Sequence, residues 1–157
     1  MGLENSKVIP MTSDDFENVQ NSWKVVMQNA EENGMFIFKT FLEKHNYFSF
    51  FKKFENTPRD ELYQNQVFKN HAANIIQAID NVILNLDNEA LIKSELTALG
   101  KMHKKRKITE QQFEELKIVI LEILDDVFKL PEDVLKAWSK TLNNAFVFVF
   151  DGLAMGE

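Results

Sequence analysis

A chain of 157 residues has the length of one domain and is long enough to bury a core. With 45% hydrophobic and 27% charged residues it is neither disordered nor collagen-like, and a net charge of -6 lacks the basic footprint of a free-standing nucleic-acid binder. The absence of Cys removes disulfides, thiol nucleophiles, Fe–S clusters and Cys-based zinc sites together, and fits a reducing, cytoplasmic setting.

In chain order, Met1-Gly2-Leu3-Glu4-Asn5-Ser6 matches the N-myristoylation pattern, although a lone acyl chain gives only marginal, reversible membrane contact. Residues 1–12 read as a flexible leader closed by Pro10. Thr12 or Ser13, ahead of Asp14 and Asp15, supplies an N-cap for a helix with Phe16, Val19, Trp23 and Val26 on one face. A second helical stripe follows Asn33-Gly34 through Ile37, Phe38, Phe41 and Leu42, then runs into the aromatic cluster Phe48-Ser49-Phe50-Phe51-Lys52-Lys53-Phe54. Asn56-Thr57-Pro58 reads as a loop.

From about Tyr63 a long amphipathic helix is predicted, with Phe68, Ala72, Ile75, Ile76 and Ile79, ended by Asp87-Asn88. A shorter helix carries Ile92, Leu96, Leu99 and His103, and the basic run Lys101 to Lys107 at its end suits the helix dipole as a solvated end. Thr109 with Gln112 forms a capping box for the stripe Phe113, Leu116, Ile120, Ile123. Pro131, as a first helical residue, opens the last helix. That helix includes the all-round apolar stretch Phe146–Phe150, a surface for a second copy or a piece of core. The chain reads as all-α, six or seven helices in one domain over residues 13–152 with a short tail at 153–157. No run of 18 apolar residues is present to span a membrane.

Of three histidines, His71 and His103 fall on the apolar faces of their helices, where an unpartnered imidazole costs about 1–3 kcal/mol. Zinc lacks a His-Glu-x-x-His spacing and enough ligands, and a Ser/His/Asp triad lacks its nucleophile elbow. Haem iron needs only one protein ligand and a flat apolar slot, which the 14 Phe residues can line. The residues alone leave two readings, a haem protein and a cofactor-free helical bundle.

At these positions the sequence resembles the globins, in the single-domain haemoglobin- or myoglobin-like form of invertebrates. Trp23, the run Phe41, Phe48, Phe51, Phe54, then His71 with Ile75, and Leu99, His103, Ile108, Phe113 and Leu116 fall in the family's order and spacing. His45 stands where the family often has Pro, and Gly34 falls one residue from the Gly expected at a helix crossing. The resemblance implies a globin fold of six to eight helices around haem b, with His103 as proximal iron ligand and its Nδ1–H directed to the Leu99 carbonyl. It implies that Phe51 stacks on the haem beside Phe54, and that Ile108, Phe113 and Leu116 line it. Ile37 and Ile75 would exclude water, while Arg106 and Lys53 would reach the propionates. His71 would donate a hydrogen bond to bound O2, giving a carrier or store that also takes CO and NO. Such a protein is not primarily an enzyme, though nitric-oxide dioxygenase or peroxidase-like side activity can accompany it. Alternatively His71 is itself the sixth iron ligand, giving a redox-sensing or signalling globin, loosely membrane-associated if Gly2 is acylated.

Overall fold

The computed structural model describes residues 7–155. Gly2 and Ser6 of the acylation pattern lie outside them. Among the described residues there are six α-helices, α1 (Ser13–Met27), α2 (Ala30–His45), α3 (Gln66–Leu84), α4 (Glu89–Lys105), α5 (Glu110–Asp126) and α6 (Glu132–Ala154), and two 3-10 turns, Phe48–Phe50 and Arg59–Gln64. No strand occurs among them. The all-α reading holds, and Phe146–Phe150 is helical.

The starts and stops follow side-chain chemistry. Thr12 Oγ1 accepts the Asp15 N–H at 3.1 Å while Asp15 returns the favour to the Thr12 N–H at 3.0 Å, which sets the start of α1. Thr109 and Gln112 form the expected capping box at α5. Four boundaries differ from the sequence reading. Asn33 and Gly34 lie inside α2, whose first turn is held by the Asn33 amide donating to the Val26 carbonyl at 2.8 Å. Tyr63 belongs to a 3-10 turn, because Asn65 Oδ1 accepts the Phe68 N–H and starts α3 later. Pro131 is extended at φ -61, ψ 160 and is the N-cap of α6, not its first helical residue. Likewise Asn88 opens α4 by accepting the Leu91 N–H at 3.2 Å; the preceding helix has already ended at Leu84.

The chain forms two compact units, Met1–Ser22 with Asn81–Glu157, and Trp23–Asp80. In the first, α6 packs against α4 and α5 around Ile92, Leu96, Phe113, Phe148, Val149 and Leu153. The contact of α4 with α6 is backbone to backbone: a Cβ added at Gly100 would strike the Val149 carbonyl oxygen, and one at Gly152 the Thr97 carbonyl oxygen. Trp138, fully buried, donates from Nε1 to Ser22 Oγ at 2.7 Å.

The expected leader and tail boundaries also shift. Ile9 donates its N–H to Asn144 Oδ1 at 2.7 Å and accepts from Asn144 Nδ2 at 2.8 Å, and Asn143 Nδ2 donates to the Lys7 carbonyl at 2.9 Å. Val8 packs on the core, so residues 7–9 form a strap along α6. At the other end, Leu153 is buried and helical, so the domain runs past Gly152. Val147, Phe148 and Val149 are buried, and Phe146 and Phe150 pack against the same core, which leaves little of that stretch for a second copy.

The second unit is an aromatic cluster. Phe38, Phe48, Phe54 and Phe68 are buried together with Leu42 and Leu62, each contributing about 1.5–3 kcal/mol of hydrophobic stabilisation. Here α2 and α3 cross at Gly34, where a Cβ would sit 2.6 Å from Ile76 Cγ1 and 3.1 Å from the Ala72 carbonyl oxygen. The close-approach Gly expected of the family is therefore Gly34 itself. His45, at the position where the family often has Pro, ends α2, and Asn46, with φ 55, turns the chain out of it. Trp23 Nε1 donates to Asp80 Oδ1 at 2.8 Å.

Candidate functional site

His103 occupies the last turn of α4, half-buried. Its Nδ1 lies 2.8 Å from the Leu99 carbonyl oxygen, one turn earlier. A carbonyl oxygen only accepts, so Nδ1 carries the hydrogen, and in the neutral ring the lone pair is on Nε2. That tautomer lets Nε2 ligate a metal, with the ring's orientation set by the partner on the other nitrogen.

The chain behind His103 is closed by a Schellman motif. The Ile108 N–H donates to the His103 carbonyl at 3.1 Å and the Lys107 N–H to the Lys104 carbonyl at 2.9 Å, with Lys107 left-handed at φ 64. This turn brings Ile108 back toward His103 and packs it, with Leu99, against the core of the first unit. The Phe113 ring meets His103 edge-on at 5.3 Å and 68°. Leu116, one turn further along α5, is half-buried, and Arg106 is exposed. The structure thus gathers His103, Leu99, Ile108 and Phe113 on one side of the first unit and leaves the Arg106 side chain in solvent.

His71 stands on α3 in the second unit, half-buried among rings. Phe51 approaches it edge-on at 5.3 Å, Phe38 lies 6.0 Å away and Phe54 6.1 Å. Phe51 stacks on Phe54 at 5.2 Å and 16°; Phe54 is buried, while Phe51 keeps part of its surface exposed. Ile75, one turn past His71, packs against this cluster; Ile37 is buried on α2, and Lys53 is exposed. Phe38 is the neighbour of His71 that sequence reading placed only in a helical stripe. It touches Phe51, Phe54, Phe68 and His71 together. Its signal was its place beside Ile37 on an apolar face, which by itself does not distinguish a core ring from a site ring.

Among the described residues no group of three or more His, Cys, Asp or Glu side chains gathers to hold a metal ion. A haem asks for less: one imidazole with a free, oriented nitrogen and flat apolar surroundings. His103, with Nδ1 committed to Leu99, meets the first requirement, and within the first unit the edge-on Phe113 ring gives it an apolar neighbour of the second kind.

Residues 35–148 match the family described as Globin. The chain is 33% identical over 147 residues to Cytoglobin-1 of Oryzias latipes, covering 89% of this chain and 81% of that relative. It is 30% identical over 143 residues to Globin CTT-VIIB-5/CTT-VIIB-9 of Chironomus thummi thummi, covering 89% and 87%. Among solved structures, a Drosophila melanogaster hexa-coordinate haemoglobin superposes with a TM-score of 0.83 at 24% identity, covering 90% of this chain and 98% of that one. A hexacoordinated haem protein from an anhydrobiotic tardigrade gives 0.85 at 21%, covering 92% and 96%.

Proposed function

The chain belongs to the globin family, and from that premise we propose that it binds haem b and reversibly takes up O2 for transport or storage. The observation that carries the reading is the His103 Nδ1 contact with the Leu99 carbonyl, which leaves the Nε2 lone pair available to a metal. When bound, the haem supplies a ferrous iron that accepts a diatomic gas.

The chain's residues do the rest. His103 ligates and, through Leu99, keeps one tautomer and one ring orientation. Neutral His71 has an N–H to donate to a polarised gas ligand, a bond to charge worth about 1.5–3 kcal/mol or roughly 10–100-fold in affinity. Phe38, Phe51 and Phe54 fix its ring and keep its surroundings apolar. Ile37 and Ile75 exclude water; Phe113, Leu116 and Ile108 give apolar contact, and Arg106 with Lys53 serve the propionates. CO and NO are taken by the same site. The protein works as a gas binder and not primarily as an enzyme, with nitric-oxide dioxygenase or peroxidase-like chemistry as side activity, in the cytoplasm.

A second reading is favoured by the residue at position 71 being an imidazole, itself an iron ligand: a six-coordinate haem used in redox sensing or signalling. Two of the structural neighbours carry the description hexa-coordinate or hexacoordinated. The visible absorption spectrum of purified protein, ferric, reduced and CO-bound, tests both. One broad visible band on reduction supports O2 carriage, two sharp bands support ligation by His71, and no Soret band after haem addition would sink both.

A further inference from the structure

The outward side of α4 and the corner after it carry a charge pattern of which gas binding uses only Arg106. Between residues 93 and 107 stand Lys93, Lys101, Lys104, Lys105, Arg106 and Lys107 with a single carboxylate, Glu95, in a chain whose overall net charge is -6. All six cations are exposed. No ion pair among the described residues neutralises any of them; the described salt bridges are made by Lys69, Lys117, Lys136 and Lys140.

At 3.6 residues per turn, the four lysines on the helix fall within an arc of about 120°, away from the face that carries Ile92, Leu96 and Leu99. The scaffold beneath is rigid, because Gly100 and Gly152 bring α4 and α6 into backbone contact. The end of the stripe is fixed by the Schellman turn at Lys107. Met102, 51% exposed, borders the lysine arc on the side of Lys105.

We propose that this face is a docking surface for an anionic membrane. The composition decides between partners. Protein interfaces favour Arg and aromatic side chains at their centres and are depleted in Lys. This stripe holds five Lys to one Arg and no aromatic side chain, a pattern that needs only diffuse negative charge, such as a headgroup layer offers. The lysine stems and Met102 give the apolar material that can enter the interface while the ammonium groups stay hydrated. If Gly2 carries an acyl chain, the stripe is the second signal that one myristoyl group lacks. The inference does not depend on the haem reading.

The test uses the full-length, unacylated protein with vesicles of about 30% phosphatidylserine in phosphatidylcholine, compared with pure phosphatidylcholine. Co-sedimentation should occur with the anionic vesicles only and disappear at about 0.5 M salt. K101E/K104E/K105E should weaken it at least tenfold, while K24E/K52E/K136E, which changes net charge equally, should weaken it less than threefold. Circular dichroism and the haem spectrum of both variants report whether either has lost its fold. Equal losses in the two variants, no preference for anionic vesicles, or capture by poly-glutamate without capture by vesicles would each overturn the proposal.

Discussion

The Nδ1 of His103 and the carbonyl oxygen of Leu99 are 2.8 Å apart within one helix, so the last turn of α4 orients its own ligand without help from another element. The acceptor is a backbone atom, and no side-chain substitution removes it. His103→Ala should therefore eliminate stable haem binding while leaving the helix in place. The purified variant, reconstituted with haem, should show no persistent Soret band and unchanged helical circular dichroism. A normal, stable spectrum would mean that the ligand is elsewhere.

His71 should act on the gas ligand and not on haem retention. His71→Leu should speed O2 release by about an order of magnitude, the loss of one hydrogen bond to a charged partner. Stopped-flow displacement of O2 by CO measures it. If the wild type proves six-coordinate, the same substitution should turn two sharp bands of the reduced protein into one broad band.

The pairing of α4 with α6 should tolerate no side chain. Gly100→Ala places a methyl group against the Val149 carbonyl, a backbone atom that moves only with its helix. A loss of at least about 2 kcal/mol is expected, or a melting temperature lower by roughly 4–8 °C. Gly34→Ala should cost less, because its nearest neighbour, Ile76 Cγ1, belongs to a side chain that can turn aside. Thermal melts of the two variants compare them directly.

Lys107 offers the reverse case. Its φ of 64 lies in the left-handed region that a side chain disfavours, at the position a Schellman turn usually gives to Gly. Lys107→Gly should raise stability by up to about 1 kcal/mol, adding roughly 2–4 °C to the melting temperature. An unchanged or lower value would show that the added freedom of the unfolded chain outweighs the relieved strain.

Asp15 sets an acid limb. The Thr12 N–H, at 3.0 Å, and then Lys140, at 3.1 Å, hold its carboxyl below the ordinary 3.8, against the upward push of burial. A depressed carboxyl pKa stabilises the folded state fully above the unfolded value and loses that contribution as pH falls through the folded one. The wild type should lose stability below about pH 4 more steeply than Asp15→Asn. Urea midpoints between pH 6 and pH 2, at about one-unit steps, check the difference.

Much of this was legible in the sequence because the signals were local. The Thr109–Gln112 box, the Thr12 cap and the His103–Leu99 pair each need at most five consecutive residues, and all three are present as expected. What sequence reading missed depends on a partner far along the chain. Gly100 looks unremarkable until Val149 and Gly152 lie against it, and Asn144 until Ile9 does. The start of α3 was misplaced for a smaller reason: Tyr63 continues the apolar phase, but the Asn65 side chain, capping Phe68, decides where helical hydrogen bonding begins. The apolar run Phe146–Phe150 was open between core and interface because periodicity records that a face is covered, not by what.

The strap along α6 divides evolutionary freedom unevenly between its two sides. Asn144 grips the peptide N–H and carbonyl of Ile9 and makes no demand on the side chain there. Most residues can replace Ile9 and still present the same two backbone groups, whereas only a primary amide of that length can replace Asn144. A library randomised at both positions should therefore return a nearly fixed residue 144 beside a freely varying residue 9, with proline, which lacks the N–H, missing at position 9.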